Sequence, residues 1–529
     1  MDIREKIGQM LMFGWQGQTE HDNQNLCTHS KILTDDFKVG GIILLGRNVR
    51  GPEQIASTLN ELQGRSDIPM FIAADQEGGL ITRMKHPFTT FPGNMALGAT
   101  RSAEFARECA GAIARELAAV GVNTNFAPCV DVNNNPLNPI IGIRSYGESP
   151  EMVSELGAAA VEGFQSNGIM ACAKHFPGHG DTSTDTHLSM PSIPYQRKRL
   201  NKVELAPFRA CIKAGVAMVM STHIVFTALD PSMPATLSPA VLTGLLRKHM
   251  GFGGLIVTDC MEMKAVTANY GVGEASVLAV KAGTDILLAS HTLEAQAQIR
   301  TALLKAVESG EISEERIEES VARIMAVKSE YGLDQRRTTD ISTVRESVGT
   351  ETNRSLEREI AESSVTVLRN DGAVLPLKLM KTDQVLVAGL HPATEQFAAA
   401  LRKYHPNTRL ARISNEPTEK ELAAVRELIK QSKVVILTTC QSEPWTRELV
   451  RPDPKSETGN GRPAVIIAAR EPYDLCHYPD AKASVATYGY PDATVQAAAD
   501  MLFGRIQPVG KLPVSIPGYA KFGFGLEKL

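Results

Sequence analysis

Through the first two thirds of the chain, short apolar runs alternate with stretches of helical periodicity. The runs predict strands at Gln9–Phe13, Gly41–Leu45, Met70–Asp75, Val122–Pro128, Met170–His175, Ala217–Thr222, Gly254–Asp259 and Asp285–Ala289. Most lack clean polar alternation, the pattern of parallel strands buried on both faces. Between them, Ala103–Val120, Glu151–Ser166, Leu205–Ala214, Pro239–Met250 and Leu293–Glu308 place apolar residues at helical spacing. Eight such units on one sheet predict a (β/α)8 barrel, with the doubly wound open sheet as the competing layout.

The pattern changes at Asp334–Thr352, where polar residues read as a linker. The expected organisation is an α/β chain with a TIM-like barrel over 1–335, a linker over 336–351 and a smaller α/β/α layered domain over 352–529. Strands are predicted in the last part at Val365–Arg369, Gln384–Ala388, Val434–Thr438, Ala464–Ala469 and Ser484–Thr487, with helices at Glu395–Lys403 and Glu419–Gln431. Gln441–Arg462, rich in Pro, Glu, Gly and Asn, reads as a surface loop.

Composition narrows the class. The 529 residues, 43% of them hydrophobic, supply ample material for a barrel of about 250 residues and a second core. With 55 basic against 59 acidic side chains, no global field recruits nucleic acid or an anionic membrane. No run reaches the roughly 18 apolar residues that span a bilayer. The charged start Met-Asp-Ile-Arg-Glu-Lys leads into no signal-peptide pattern, so a cytoplasmic location is expected, with secretion left open. Eight dispersed cysteines without a Cys-x-x-Cys pair argue against a disulfide frame or a structural zinc site. Arg197-Lys198-Arg199 is predicted as a solvated face.

Catalytic groups of barrel enzymes sit where strands end. The third strand ends in Asp75-Gln76-Glu77-Gly78-Gly79 with Arg83 beyond; the fourth leads to Asp131 and then Ile141-Gly142-Ile143-Arg144. The fifth ends in the fourteen residues Lys174–His187, the sixth in Ser221-Thr222-His223, the seventh in Thr258-Asp259. The stretch Lys174–His187 carries three histidines, two aspartates, a lysine and several hydroxyls on a Gly/Pro-punctuated loop, more polar groups than a core could satisfy. A solvated loop and a zinc site are its rival readings. Pro177 and Gly178 lie between His175 and His179 and oppose a helical ligand pair, and Lys174 opposes a cation.

Asp185 two residues before His187 can raise and orient an imidazole that gives and takes a proton. Asp259, delivered by an apolar strand, suits attack on an anomeric carbon; helix capping is its bland alternative, and Glu262 competes for the role. Asp75, Arg83, Arg144, Lys174 and His175 supply hydrogen-bonding groups of the kind that hold sugar hydroxyls.

These segments carry a resemblance. KHFPGHGDTSTDTH at 174–187 resembles the signature loop of β-N-acetylglucosaminidases in glycoside hydrolase family 3. DQEGG at 75–79, FAPCVD at 126–131, IGIRSYG at 141–147 and IVTDCMEMKAV at 256–266 are similar in the same order. EIAESSVTVLRNDGAVLPL at 359–377 and GKLPVSIPG at 510–518 resemble that family's C-terminal domain. The resemblance implies Asp259 as nucleophile, Asp185 and His187 as the acid/base pair, and Asp75, Arg83, Arg144, Lys174 and His175 as the sugar-holding set. It implies release of terminal β-linked N-acetylglucosamine from peptidoglycan fragments or chitin oligomers, with retention and with neither cofactor nor metal. Cys260 stands where the family more often has Ala or Asp. Alternatives are phosphorolysis, a metal-dependent hydrolase on the loop histidines, and a non-catalytic sugar-binding protein. Oligomeric state and the second domain's role stay open.

Overall fold

The computed structural model describes residues 1–183, 190–440, 446, 449 and 464–529. Its first half is a closed barrel of eight parallel strands: β1 (Leu11–Phe13), β2 (Gly41–Leu44), β3 (Phe71–Ala74), β4 (Thr124–Asn125), β5 (Met170–Phe176), β6 (Met218–Ser221), β7 (Leu255–Thr258) and β8 (Leu287–Ala289). β1 pairs with both β2 and β8. The ring closes where Thr258 N–H donates to Ile286 O and Ile286 N–H to Ile256 O, both at 3.0 Å. Seven of the predicted runs contain these strands and the fifth stops one residue short of β5, and every residue of β1, β2, β3, β5, β6, β7 and β8 is buried. That is why their hydropathy runs without alternation.

A helix follows each strand: α1 (Thr28–Asp35), α2 (Pro52–Gly64), α3 (Ala103–Ala119), α4 (Pro150–Ser166), α5 (Leu205–Lys213), α6 (Ala240–His249), α7 (Val272–Ala282) and α8 (Leu293–Glu308). Ser102 and Ser149 cap α3 and α4 by accepting main-chain N–H groups, which sets where those helices begin. α6 winds as a wider π-type helix, with Met250 N–H bonded back to Leu245 O at 2.9 Å. Among the described residues no helix is long and apolar enough to cross a membrane.

After α9 (Glu314–Glu330), the polar stretch 336–351 holds a short helix, α10 (Ile341–Ser347), capped by Asp340 and anchored by buried Val344. Buried Glu116 of α3 ties this stretch down. It accepts Gly349 N–H and Asn353 Nδ2 while also holding Thr89. α11 (Glu351–Ser364) leads into the second sheet. Its strands are β9 (Thr366–Asn370), β10 (Val385–Gly389), β11 (Thr408–Arg412), β12 (Val434–Thr439), β13 (Ala464–Ala468) and β14 (Ala483–Ala486), in the order β9-β14-β13-β12-β10-β11. Only β9 runs antiparallel. α12 (Ala393–Arg402), α13 (Glu419–Gln431) and α14 (Asp492–Leu502) complete the layers. β11 lies at the sheet's edge, and its mixed Thr-Arg-Leu-Ala-Arg composition conceals it from a search for apolar runs.

One face of this sheet builds its own core around Val387, Ile436, Ile467, Phe397 and Leu401. The other face shares a core with the barrel half, where Leu386, Leu437 and Ile466 cluster with Met95, Ala96, Ala99 and Ile143. The second domain thus packs against the segment leading to Arg144. Tyr473 accepts Asn133 Nδ2 at 2.8 Å, and Glu148 accepts Ser515 N–H and Oγ–H at 2.6 Å.

Candidate active site

At the carboxyl ends of β3, β4 and β5, a charged network stands over the barrel. Lys174 Nζ donates to Asp75 Oδ1 at 2.8 Å and to Glu77 Oε1 at 2.7 Å. Arg83 donates to Asp75 Oδ2 at 3.1 Å, and Arg144 grips both Glu77 oxygens at 2.8 and 3.1 Å. The side chains of Lys174 and Glu77 are each only 2% exposed. Burial alone would favour the neutral forms of Asp75, Glu77 and Lys174, but the opposing charges outweigh it. Asp75 is held well below the usual carboxylate range by Lys174 and Arg83, and Glu77 falls to about 2 beside Arg144 and Lys174. Lys174, which burial alone would deprotonate, stays charged between its two carboxylates.

Behind His175 lies Asp131. Its carboxylate accepts His175 Nδ1–H at 2.7 Å, the main-chain N–H of His175 at 3.2 Å and that of His179 at 2.6 Å. Burial opposes the charge, yet His175 and His179 keep Asp131 well below the usual range. With Nδ1 bound to Asp131, the imidazole turns Nε2 toward Arg144, 3.4 Å away. His179 is pushed down to about 4 by burial and by the neighbouring His175, so it is neutral at pH 7. Cys129, Asp131 and His175 bring three potential metal-binding atoms within 4.8 Å of one another. The Cys129 thiol, however, donates to Asp131 at 3.2 Å as the imidazole does, which makes the set a hydrogen-bonded brace for His175.

Asp259 emerges from β7, the main chain turning so that Oδ1 accepts Cys260 N–H at 2.7 Å. Burial raises its pKa, but His175 and His223 outweigh that and hold it below the ordinary aspartate value. The rival carboxylate Glu262 is engaged differently. It accepts His291 N–H at 2.7 Å and both Thr292 N–H and Oγ–H at 2.8 Å, bracing the turn after β8. Asp75, Arg83, Arg144, Lys174, His175 and Asp259 all line one cavity of about 700 Å3, floored by Ile43, Met220 and Leu288 and edged by Cys260.

The loop after β5 is anchored at its start. Gly180 packs so tightly that a Cβ there would lie 1.8 Å from Val132 O. Asn138 Nδ2 donates to His179 O at 2.8 Å, while its Oδ1 accepts Ile140 and Ile141 N–H, tying this loop to the one carrying Arg144. Arg199 donates to Asp181 at 2.5 Å and to Glu204 at 3.2 Å. It therefore leaves the solvated face expected for the basic trio, whose other two members, Arg197 and Lys198, are exposed. Asp185 and His187 lie outside the described residues.

Glu77 and Asp131 were absent from the set read as sugar-holding, although both stand inside motifs that point to the site. Glu77 sits between Gln76 and a Gly pair at a strand end, a place where a core has no use for a carboxylate. That signal marks the residue without revealing its partners, which come from distant strands.

A closed parallel barrel with a charge-paired cavity at the carboxyl ends of its strands defines a barrel enzyme for a small polar substrate. Comparison with known proteins narrows this. Residues 2–327 match the model of the glycosyl hydrolase family 3 N terminal domain, and residues 365–523 that of the family's C-terminal domain. The chain belongs to glycosyl hydrolase family 3 and is a glycoside hydrolase. It is 32% identical to beta-hexosaminidase A of Pseudoalteromonas piscicida over 92% of this chain and 90% of that one. It is 29% identical to a beta-N-acetylglucosaminidase/beta-glucosidase of Cellulomonas fimi, over 91% and 89% of the two chains. A solved family 3 beta-N-acetylglucosaminidase from Paenibacillus sp. str. FPU-7 superposes with a TM-score of 0.88 at 39% identity, covering 98% of this chain and 99% of that one.

Proposed function

We propose that this protein is a retaining exo-acting β-N-acetylhexosaminidase that releases terminal N-acetylglucosamine from the non-reducing ends of peptidoglycan fragments or chitin oligomers. The sugar occupies the cavity, its hydroxyls held by Asp75, Arg83, Arg144, Lys174 and His175. The carboxylate of Asp259 attacks the anomeric carbon while the bond to the leaving oxygen breaks. His187, oriented by Asp185, protonates that oxygen. In the second step His187 takes a proton from water, the resulting hydroxide attacks the same carbon, and Asp259 leaves with its original charge. Two inversions give net retention.

The observation that carries this reading is the state of Asp259. It is a charged carboxylate at a strand end, open to the cavity and, among the described residues, bonded only to the neighbouring Cys260 N–H. Glu262, committed to three donors, is a poor nucleophile by comparison. The names of the relatives favour the N-acetylhexosaminide over other glycosides. The test is to trap the enzyme with a slow fluorinated N-acetylglucosaminide and map the labelled peptide by mass spectrometry. A label on the peptide holding Asp259 is expected. A label elsewhere, or product of inverted anomeric configuration, refutes the assignment.

A further inference from the structure

A second cavity, of about 430 Å3, opens between the two domains on the far side of the ribbon 76–83. Ile81 and Arg83 of this ribbon line the catalytic cavity, whereas Leu80 and Thr82 line the second one. The barrel half contributes Lys85, His86 and Phe88; the other wall comes from Arg354 and Glu357 of α11, Gln396 of α12 and the turn Gly489–Asp492.

Its hydrogen-bond groups are unbalanced. Glu357 is only 8% exposed and has no hydrogen-bond partner among the described residues. The amide oxygen of Gln396 is buried and also lacks a donor, while its Nε2 is spent on Asp492 Oδ1 at 3.2 Å. The carboxylates of Glu357 and Asp492 thus line one cleft, while the Gln396 oxygen is closed off from it. Burial pushes Glu357 up to about 7 despite the charge of Arg354. The Arg354 guanidinium is turned toward Gly349 O at 2.9 Å and Pro87 O at 3.2 Å and makes no hydrogen bond to Glu357.

From these residues we infer that the interdomain cleft is a second saccharide-binding site, in which the hydroxyls of a pyranose donate to Glu357 and Asp492. A ligand cation would supply donors too, but Lys85 and Arg354 on the same walls repel it. A neutral polyol adds no charge, and its own oxygens can accept from Lys85. The rings of Tyr490, Phe88 and His86 offer apolar faces for the sugar's C–H side. The inference does not depend on which carboxylate attacks in the catalytic cavity. Only the choice of N-acetylglucosamine as probe rests on the proposed function.

Hydrogen–deuterium exchange of the full chain reads both cavities at once. The probes are N-acetylglucosamine with the wild type and its β-1,4 trimer with Asp259→Ala, so that free sugar and the distal unit of a longer chain are distinguished. At about ten times a millimolar Kd, exchange by local opening slows about tenfold. Slowing is expected in peptides covering 351–364 and 489–502 with at least one probe, and its loss in both Glu357→Leu and Asp492→Ala. The exposed Asp492→Ala covers the case in which the buried Glu357 variant fails to fold. Slowing of the peptide covering 170–183 reports separately on the catalytic cavity and so on the proposed function. No slowing at the cleft with either probe, or slowing undiminished in the folded variants, overturns the second site.

Discussion

Replacing Glu77 with Gln removes one negative charge and little volume. In the wild type this carboxylate binds Lys174 at 2.7 Å and takes Arg144 through both oxygens, with essentially no water around it. The variant leaves two cations facing each other across a neutral amide that can accept from only one side. A glutamate moved from 4.5 to about 2 by its surroundings contributes about 3 kcal/mol of stability at neutral pH. Breaking a buried ion pair by removing one partner costs about 3–5 kcal/mol, which agrees. Because the folded-state pKa is depressed, this contribution is complete above pH 4.5 and is lost as pH falls toward 2. Denaturant unfolding should therefore separate wild type and variant by about 3 kcal/mol at neutral pH, and the gap should shrink as the medium is acidified below the glutamate's ordinary pKa. Since Lys174 and Arg144 face the cavity, kcat/KM should fall by roughly 100-fold, the cost of an ångström's misplacement. A gap under about 1 kcal/mol, or one that does not change with pH, refutes the reasoning.

Asp259→Ala should lower cleavage of an aryl N-acetylglucosaminide by several orders of magnitude in steady-state assays; a loss under roughly tenfold rejects it as nucleophile. His187→Ala should harm substrates with poor leaving groups far more than activated aryl ones, and equal losses on both count against acid catalysis. Asp131→Asn should weaken the hold on His175 and on the His179 main chain, lowering kcat/KM about 10- to 100-fold with a folded protein by circular dichroism. Burial moves Lys328 from 10.5 down to about 7, so between those values the unfolded chain binds a proton that the folded protein lacks. Wild-type stability should then rise across that window relative to Lys328→Met, and a constant difference refutes it.

The barrel was legible because its strands are buried on both faces, so each registers as an unbroken apolar run whatever its partners. The strand β11 was not, since an edge position lets Arg409 and Arg412 reach water and erases the run. The strand-end carboxylates and cations announced themselves by being polar where a core should follow. Local sequence thus determined the barrel elements and their order, and pointed to the strand ends where polar side chains gather. It could not say that Glu77 clamps Lys174 and Arg144, that Asp131 orients His175, or that Glu262 is consumed by the turn after β8 while Asp259 is left open. Nor could it say that the second sheet buries one face against the segment leading to Arg144. The ion pairs depend on groups the barrel brings within about 3 Å from positions up to about a hundred residues apart, the shared core on residues more than two hundred apart, and both on burial that makes each group depend on its neighbours. Hydropathy is a property of each residue in turn, whereas ion pairing and desolvation are properties of neighbours in space, and only the folded chain supplies those neighbours.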